Sequence, residues 1–315
     1  MESINTNLKP IPNMFEVRTA NQVLKDAAAM PDPIELFSPL IIQGELIILF
    51  ADTGIGKTAL IVQVAIHIAK GGWTVLYIDL ELSDKQFEKR YRNDEGIHFE
   101  FPGSFYRASY AALRTLPNVD YDKFFINSLK SSIDKTQASV IIIDNMTKVV
   151  SGDTDSAKNA IPIMNSLSEL KSDKGLTFII LEHNKKVDDW RPISLNDLQG
   201  SKMKSNFADS VFTIGRSAND KGIRYIKQLK VRSAEMEYDS ESVLICELTK
   251  EDGFLGFREI GRGNESDLLK AVTEESRNSK IERVLTLKAQ GLSNVAIAKE
   301  LGVSEGAIRK WTKNR

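Results

Sequence analysis

The chain has 315 residues, of which 42% are hydrophobic and 27% are charged. This composition is that of an ordinary globular protein, and it excludes collagen-like and wholly disordered chains. At about 150 residues per domain, the length predicts one large and one small domain, or two of medium size. The apolar runs are too short for the roughly 20 residues of a membrane span, and the polar first ten residues do not read as a secretion signal. We therefore expect a cytoplasmic protein with no membrane partner.

Charge is distributed unevenly along the chain. The net charge at pH 7 is −1, yet residues 279–315 carry eight basic and three acidic side chains, a net of +5. Residues 262–278, just before this basic region, mix glycine, serine and charged residues, which is typical of a linker. We therefore predict a body over 1–261, a linker over 262–278 and a small basic domain over 279–315. Cys246 is the only cysteine, so no internal disulfide forms, and no Cys/His spacing indicates a zinc site.

Short apolar runs alternate with longer amphipathic segments through the body. Strands are predicted over 46–50, 74–79, 140–144 and 177–182, and helices over 57–70, 83–92, 121–135 and 156–173. Continuous apolar strands separated by helices indicate a parallel sheet covered on both faces. Four more strands, over 211–215, 223–230, 243–249 and 254–260, follow with turn-like gaps and no helix between them. The predicted fold class is α/β, with a mostly parallel sheet flanked by helices, antiparallel C-terminal strands and a small all-α domain.

A glycine-rich segment lies between the first of these strands and the first helix. Residues 51–58 read Ala-Asp-Thr-Gly-Ile-Gly-Lys-Thr, which matches a P-loop in its strand–loop–helix context. Lys57 is placed to reach the β- and γ-phosphates of ATP, and the Thr58 hydroxyl to bind Mg²⁺. Ala51 stands where the motif has glycine, a small departure because alanine is excluded only where φ must be positive. A glycine-rich turn before a core helix is the alternative. The expected nucleotide contacts are Asp52, Thr53, Gly54, Ile55, Gly56, Lys57, Thr58 and Ala59.

Acidic residues follow two of the predicted strands. Asp144 ends the apolar strand 140–144 and is expected to hold Mg²⁺ together with Thr58. Glu81 follows the strand 74–79 and is the candidate base for the attacking water. Asp79 is the rival for this role, although it equally fits an acid that caps the next helix.

With these residues, the segment 21–261 resembles the RecA-fold ATPases, and within them the RepA-type plasmid replicative helicases and their DnaB and KaiC relatives. In that family a glutamate after the second core strand activates water, which matches Glu81. His183 stands where the family has a polar residue that senses the γ-phosphate; a core histidine is the alternative. The resemblance further assigns Lys230 and Arg232 to a basic finger that enters a neighbouring subunit's site, although a solvated strand end also fits them. It therefore implies a homo-oligomeric ring or filament.

The segment 184–206 is long, and it contains Trp190 and several basic residues. RecA-type proteins face DNA with a loop at this place, and basic and aromatic side chains suit phosphates and bases. An ordinary surface loop is the alternative. The candidate DNA contacts here are Lys185, Lys186, Lys202 and Lys204.

The basic region 279–315 predicts helices over 280–290, 294–301 and 305–311, with turns at the glycines between them. Its second half resembles the helix-turn-helix of sigma-factor and transposase-like domains, in which the second helix enters the major groove. Glu305, Arg309 and Lys310 are then the candidate DNA contacts. A protein-binding helical hairpin is the alternative.

Two functions fit these observations. The first is an ATP-hydrolysing motor or helicase-type protein that acts on DNA, in replication or maintenance of a plasmid or mobile element. The second is an ATP-switched DNA-binding regulator or adaptor that does not translocate. Both need the same catalytic residues, so stimulation of ATP turnover by single-stranded DNA distinguishes them. The antiparallel C-terminal strands disfavour a nucleotide kinase.

Overall fold

The computed structural model describes residues 15–110, 120–149, 157–185, 187–199, 201–270, 274–301 and 305–312. It contains two compact units, Met1–Ile34 and Glu35–Arg315. The first unit holds helix α1 (Ala20–Ala27), which begins where the Thr19 hydroxyl accepts a hydrogen bond from the Gln22 backbone N–H. The second unit begins with a short antiparallel hairpin of β1 (Glu35–Phe37) and β2 (Ile41–Ile42).

A nine-stranded sheet forms the centre of the second unit. Its strands in chain order are β3 (Leu46–Ala51), β4 (Val75–Asp79), β5 (Phe105–Ala108), β6 (Val140–Asp144), β7 (Thr177–His183), β8 (Ser210–Arg216), β9 (Ile223–Lys230), β10 (Val243–Glu251) and β11 (Phe254–Gly263). The spatial order is β11-β10-β9-β8-β3-β7-β6-β4-β5. The pairs from β8 to β5 are parallel, and those from β8 to β11 are antiparallel. The antiparallel strands therefore extend the parallel sheet on one side, as the sequence predicts.

Helices cover both faces of this sheet. They are α2 (Lys57–Lys70), α3 (Asp84–Arg90), α4 (Tyr121–Thr136), α5 (Ala157–Lys174), α6 (Ser201–Phe207) and α7 (Glu265–Leu268). One buried core joins α2 to one face, and a second core joins α4 and α5 to the other. Because neighbouring side chains of a strand point to opposite faces, the central strands are apolar along their whole length. This arrangement brings the carboxyl ends of β3, β4, β6 and β7 to one edge of the sheet.

The C-terminal region forms three helices, α8 (Glu274–Ala289), α9 (Asn294–Leu301) and α10 (Glu305–Thr312). Their shared core contains five buried residues: Val284, Leu287, Ile297, Ala298 and Ile308. The three helices agree with the sequence prediction. Residues 302–304, between α9 and α10, lie outside the described residues.

The predicted linker 262–278 begins too early. Strand β11 continues to Gly263, and Glu265 in α7 is fully buried. The Glu265 carboxylate accepts hydrogen bonds from Lys227 Nζ (2.5 Å) and from the backbone N–H of Ile193 (2.9 Å). Residues 262–268 therefore belong to the sheet domain. Strand β5 and helix α6 are further elements that the sequence patterns do not predict.

Candidate active site

The glycine-rich loop 52–56 connects the end of β3 to the start of α2. Gly54 and Gly56 have φ values of 74° and 114°, in the left-handed region that favours glycine. Ala51 is the last residue of β3 and lies in extended backbone, so alanine at this motif position requires no positive φ. Gly56 offers no side-chain cap to α2, which leaves the first N–H groups of the helix available to an anion. The loop therefore has the backbone geometry of a phosphate site.

The antiparallel strands support this loop from one side. A Cβ added to Gly56 would lie 2.9 Å from Phe257 Cζ on β11, so the strand approaches the loop closely. Arg224 on β9 is buried and donates from Nε to the backbone oxygen of Ile55 (3.1 Å). Gln63 on α2 exchanges two hydrogen bonds with the backbone of Phe257. Sequence reasoning missed Arg224, because no motif relates residues this far apart in the chain.

Lys57 lies at the start of α2 with its ammonium folded toward the loop. Its Nζ donates to the backbone oxygens of Ala51 (2.7 Å) and Asp52 (3.0 Å) and lies 3.4 Å from His183 Nδ1. Burial lowers the pKa of Lys57, and the nearby carboxylates of Asp144 and Glu81 partly oppose this shift. The ammonium is therefore held among backbone oxygens, where a phosphate group is a stronger partner.

Asp144 ends β6 at the same edge and is almost completely buried. Its Oδ2 accepts hydrogen bonds from the hydroxyls of Thr58 (2.8 Å) and Tyr77 (2.8 Å). Its Oδ1 is buried and has no hydrogen-bond partner among the described residues. Burial raises the pKa of Asp144 to about 6. A buried carboxylate oxygen that lacks a partner, beside a threonine hydroxyl, is the donor set that Mg²⁺ prefers. The residues present therefore fit a magnesium ion.

Glu81, Asn145 and His183 meet next to Asp144. Asn145 is buried, and its amide nitrogen donates to Glu81 Oε1 and lies 3.0 Å from His183 Nε2. His183 Nε2 lies 3.5 Å from Glu81 Oε1, and one-third of the Glu81 side chain is exposed. The structure thus brings together Glu81, His183 and Lys57, which the sequence analysis selected separately. It adds Asn145, for which the position directly after Asp144 was the available signal.

Asp79, the rival for the role of Glu81, is engaged on both oxygens. Oδ2 accepts from Arg107 Nε (2.9 Å), and Oδ1 accepts from the backbone N–H groups of Glu81 (3.1 Å) and Leu82 (2.9 Å). Its side chain is fully buried. These contacts are those of an acid that shapes the turn after β4. They favour Glu81 over Asp79 as the base, and the assignment stays a prediction.

Lys230 and Arg232 lie at the opposite edge of the sheet. Lys230 pairs in register with Val211, at the start of β8, whereas the P-loop follows the end of the neighbouring β3. A strand of six residues spans about 20 Å, so the two cations do not reach the site of their own chain. Lys230 Nζ donates to the backbone oxygens of Ser205 (2.8 Å) and Ala208 (2.5 Å), and Arg232 pairs with Asp209 (2.9 Å).

The structure revises the predicted DNA contacts in one respect. Lys204 is 2% exposed and pairs with the buried Glu182 (2.7 Å), so its position does not support contact with DNA. Lys185 is exposed and donates to the backbone oxygen of Asn196 (3.3 Å), and Arg309 is exposed on α10. Four of the predicted contacts lie outside the described residues or side chains: Lys186, Lys202, Glu305 and Lys310.

The fold and the site together define a P-loop ATPase with a RecA-like fold. A family model described as "AAA domain" matches residues 14–189. The match covers more than half of the chain, and the chain therefore belongs to this family. One similar solved structure is described as the ATPase domain of another protein. It is 15% identical in sequence with a TM-score of 0.57, and the match covers 76% of this chain and 99% of that one. A search of curated proteins finds no match. Among the described helices, none has the length and apolar character needed to cross a membrane.

Proposed function

We propose that this protein hydrolyses ATP with Mg²⁺ at the edge of the sheet formed by the P-loop, Asp144 and Glu81. The observation that carries the proposal is the buried Asp144 oxygen without a partner, next to the Thr58 hydroxyl and the glycine-rich loop. Asp144 and Thr58 would hold Mg²⁺, which neutralises charge on the phosphates when bound. Backbone N–H groups at the start of α2 and the Lys57 ammonium would bind the phosphate oxygens.

Glu81 is the general base of the proposed reaction. Its carboxylate takes the proton of a water molecule that attacks the γ-phosphate. Asn145 donates a hydrogen bond to Glu81 and so fixes the direction of the carboxylate. His183 lies beside both residues and within 3.4 Å of Lys57 Nζ, which suits a residue that contacts the γ-phosphate.

The position of Lys230 and Arg232 supports an oligomeric enzyme. These cations lie at the edge of the sheet opposite the P-loop of their own chain, so they can assist hydrolysis only in a second subunit. Such a head-to-tail contact generates a ring or a filament. A cation supplied by a neighbour stabilises the negative charge of the transition state.

DNA is the proposed partner of this oligomer. The resemblance to RepA-type and DnaB helicases, together with the three C-terminal helices and their net positive charge, supports a helicase-type motor. We assign it to replication or maintenance of a plasmid or mobile element in the cytoplasm. The helix-turn-helix resemblance gives the C-terminal helices the role of bringing the motor to its DNA site.

One observation favours the second candidate, an ATP-switched DNA-binding regulator that does not translocate. Two basic residues of the predicted DNA-facing segment are engaged within the protein: Lys204 with Glu182, and Arg191 with Asp197 (2.5 Å). A motor that tracks single-stranded DNA needs free cations on this segment. A regulator that binds DNA through its C-terminal helices does not need them.

Turnover measurements with different DNAs test these proposals. ATP hydrolysis is measured without DNA, with single strands and with duplex, and the mass of the protein is measured with and without ATP. Lys57→Ala is the control, because it removes phosphate binding. The motor proposal predicts oligomers in ATP and faster hydrolysis with single strands. Nucleotide-dependent assembly without stimulation by single strands favours the regulator. An active monomer contradicts the shared-site arrangement.

A further inference from the structure

A buried ion pair lies behind the active site. Glu182 and Lys204 are 1% and 2% exposed, and Lys204 Nζ lies 2.7 Å from Glu182 Oε1. The other carboxylate oxygen of Glu182 is buried and has no hydrogen-bond partner among the described residues. Buried ion pairs of this kind contribute little net stability, because the charges lose their hydration. The pair therefore calls for an explanation other than stabilisation of the fold.

Glu182 is the chain neighbour of His183 at the end of β7. Successive side chains of a strand point to opposite faces. His183 faces the P-loop and lies next to Lys57, Glu81 and Asn145, while Glu182 reaches α6 on the other face. A shift of His183 against a phosphate therefore moves the peptide unit that carries Glu182.

Helix α6 contacts Lys230 and Arg232 as well as Glu182. Lys230 Nζ donates to the backbone oxygens of Ser205, within α6, and Ala208, just after it. Arg232 pairs with Asp209, the next residue of the chain. One short helix is thus held by the end of β7 through Lys204 and by the two cations at its other end.

We propose that Lys204 is a positioning residue that fixes α6 between His183 and the cations Lys230 and Arg232. Through this link, nucleotide bound in one subunit sets the placement of the cations that the same subunit supplies to its neighbour. The inference rests on the proposed function, because it requires those cations to act in a second subunit. It assigns Lys204 to communication between sites, in place of the DNA contact expected from the sequence.

Mixing of variant subunits tests this role. Lys204→Met leaves its own P-loop and Glu81 intact but displaces α6, so the variant should bind ATP normally and hydrolyse it about 10²-fold more slowly, as misplaced catalytic groups do. Glu81→Gln subunits have a defective base but intact cations. In mixtures of the two, Glu81→Gln cations complete Lys204→Met sites, and hydrolysis should rise above that of either variant alone.

Two controls accompany the mixture. Arg232→Ala mixed with Glu81→Gln should recover activity if cations act between subunits, whereas Arg232→Ala mixed with Lys204→Met should not, because both lack a working cation. Glu182→Gln/Lys204→Met removes both buried charges. It replaces Lys204→Met in the same mixtures if the single variant fails to fold.

The outcomes separate this inference from the proposed function. Recovery in both mixtures that contain Glu81→Gln, and in no other, supports the role of Lys204. Recovery with Arg232→Ala but not with Lys204→Met overturns it, because Lys204 then acts only within its own subunit. Wild-type turnover by the double variant overturns it too. Absence of recovery in every mixture of exchanging subunits overturns both this inference and the shared site.

Discussion

Removing every residue after Gly261 is expected to destabilise the sheet domain, although all of the predicted catalytic residues remain. The truncation removes Glu265, which is fully buried and accepts hydrogen bonds from Lys227 Nζ (2.5 Å), the Ile193 backbone N–H (2.9 Å) and the Tyr225 hydroxyl (3.1 Å). Loss of one partner of a buried ion pair lowers the free energy of unfolding by about 3–5 kcal/mol. The two remaining hydrogen bonds add about 1 kcal/mol each.

The expected loss of about 5–7 kcal/mol is a large part of the 5–15 kcal/mol that stabilises a typical domain. Urea unfolding, followed by circular dichroism, measures it by comparing a protein that ends at Gly261 with one that ends at Lys270. The longer protein retains α7 and its contacts. Lys227→Met in the shorter protein should restore part of the stability, because it removes the ammonium left without a partner. Equal unfolding midpoints for the two truncated proteins would refute this reasoning.

Three further predictions concern the site and the C-terminal helices. Asn145→Ala should slow hydrolysis about tenfold to a hundredfold with nucleotide affinity retained, because Glu81 loses its orienting hydrogen bond; unchanged turnover contradicts this. The pKa of Asp144 is raised to about 6, so its proton competes with Mg²⁺ at lower pH. Mg²⁺-dependent nucleotide affinity should therefore fall through pH 6 by up to about tenfold per unit, and calorimetry that finds a flat profile from pH 5 to 8 excludes this ligand. Deletion of 279–315 should preserve basal hydrolysis but weaken duplex binding and flatten its salt dependence. Arg309→Ala distinguishes a base contact, lost at one sequence, from a phosphate contact, lost at all.

The large features of the fold follow from local patterns in the sequence. Strands β6 and β9 and helix α2 have the predicted bounds, because continuous apolar runs and glycine-rich turns mark where each element begins and ends. Strand β5 was not predicted. It has four residues, its Arg107 is polar, and it forms as an edge strand by pairing with β4. Short edge strands depend on a neighbour in the sheet more than on their own sequence.

The site divides in the same way between local and distant information. Lys57, Thr58 and Asp144 could be predicted because strand–loop–helix geometry fixes them at one edge of the sheet. Lys204 was predicted as a surface cation because the sequence does not reveal its buried partner, Glu182. The same holds for Glu265, whose partner Lys227 lies in another strand. Burial of charge depends on tertiary pairing, which hydropathy patterns do not encode.

The central claim is that Glu81 activates water at a nucleotide held by the P-loop and Asp144. The most direct test compares wild-type protein and Glu81→Gln for ATP binding, by titration with a fluorescent analogue, and for ATP hydrolysis in a single turnover. Glu81→Gln should bind with wild-type affinity and hydrolyse about 10²- to 10⁴-fold more slowly, as expected for loss of a general base. Hydrolysis by Glu81→Gln at the wild-type rate would contradict the claim.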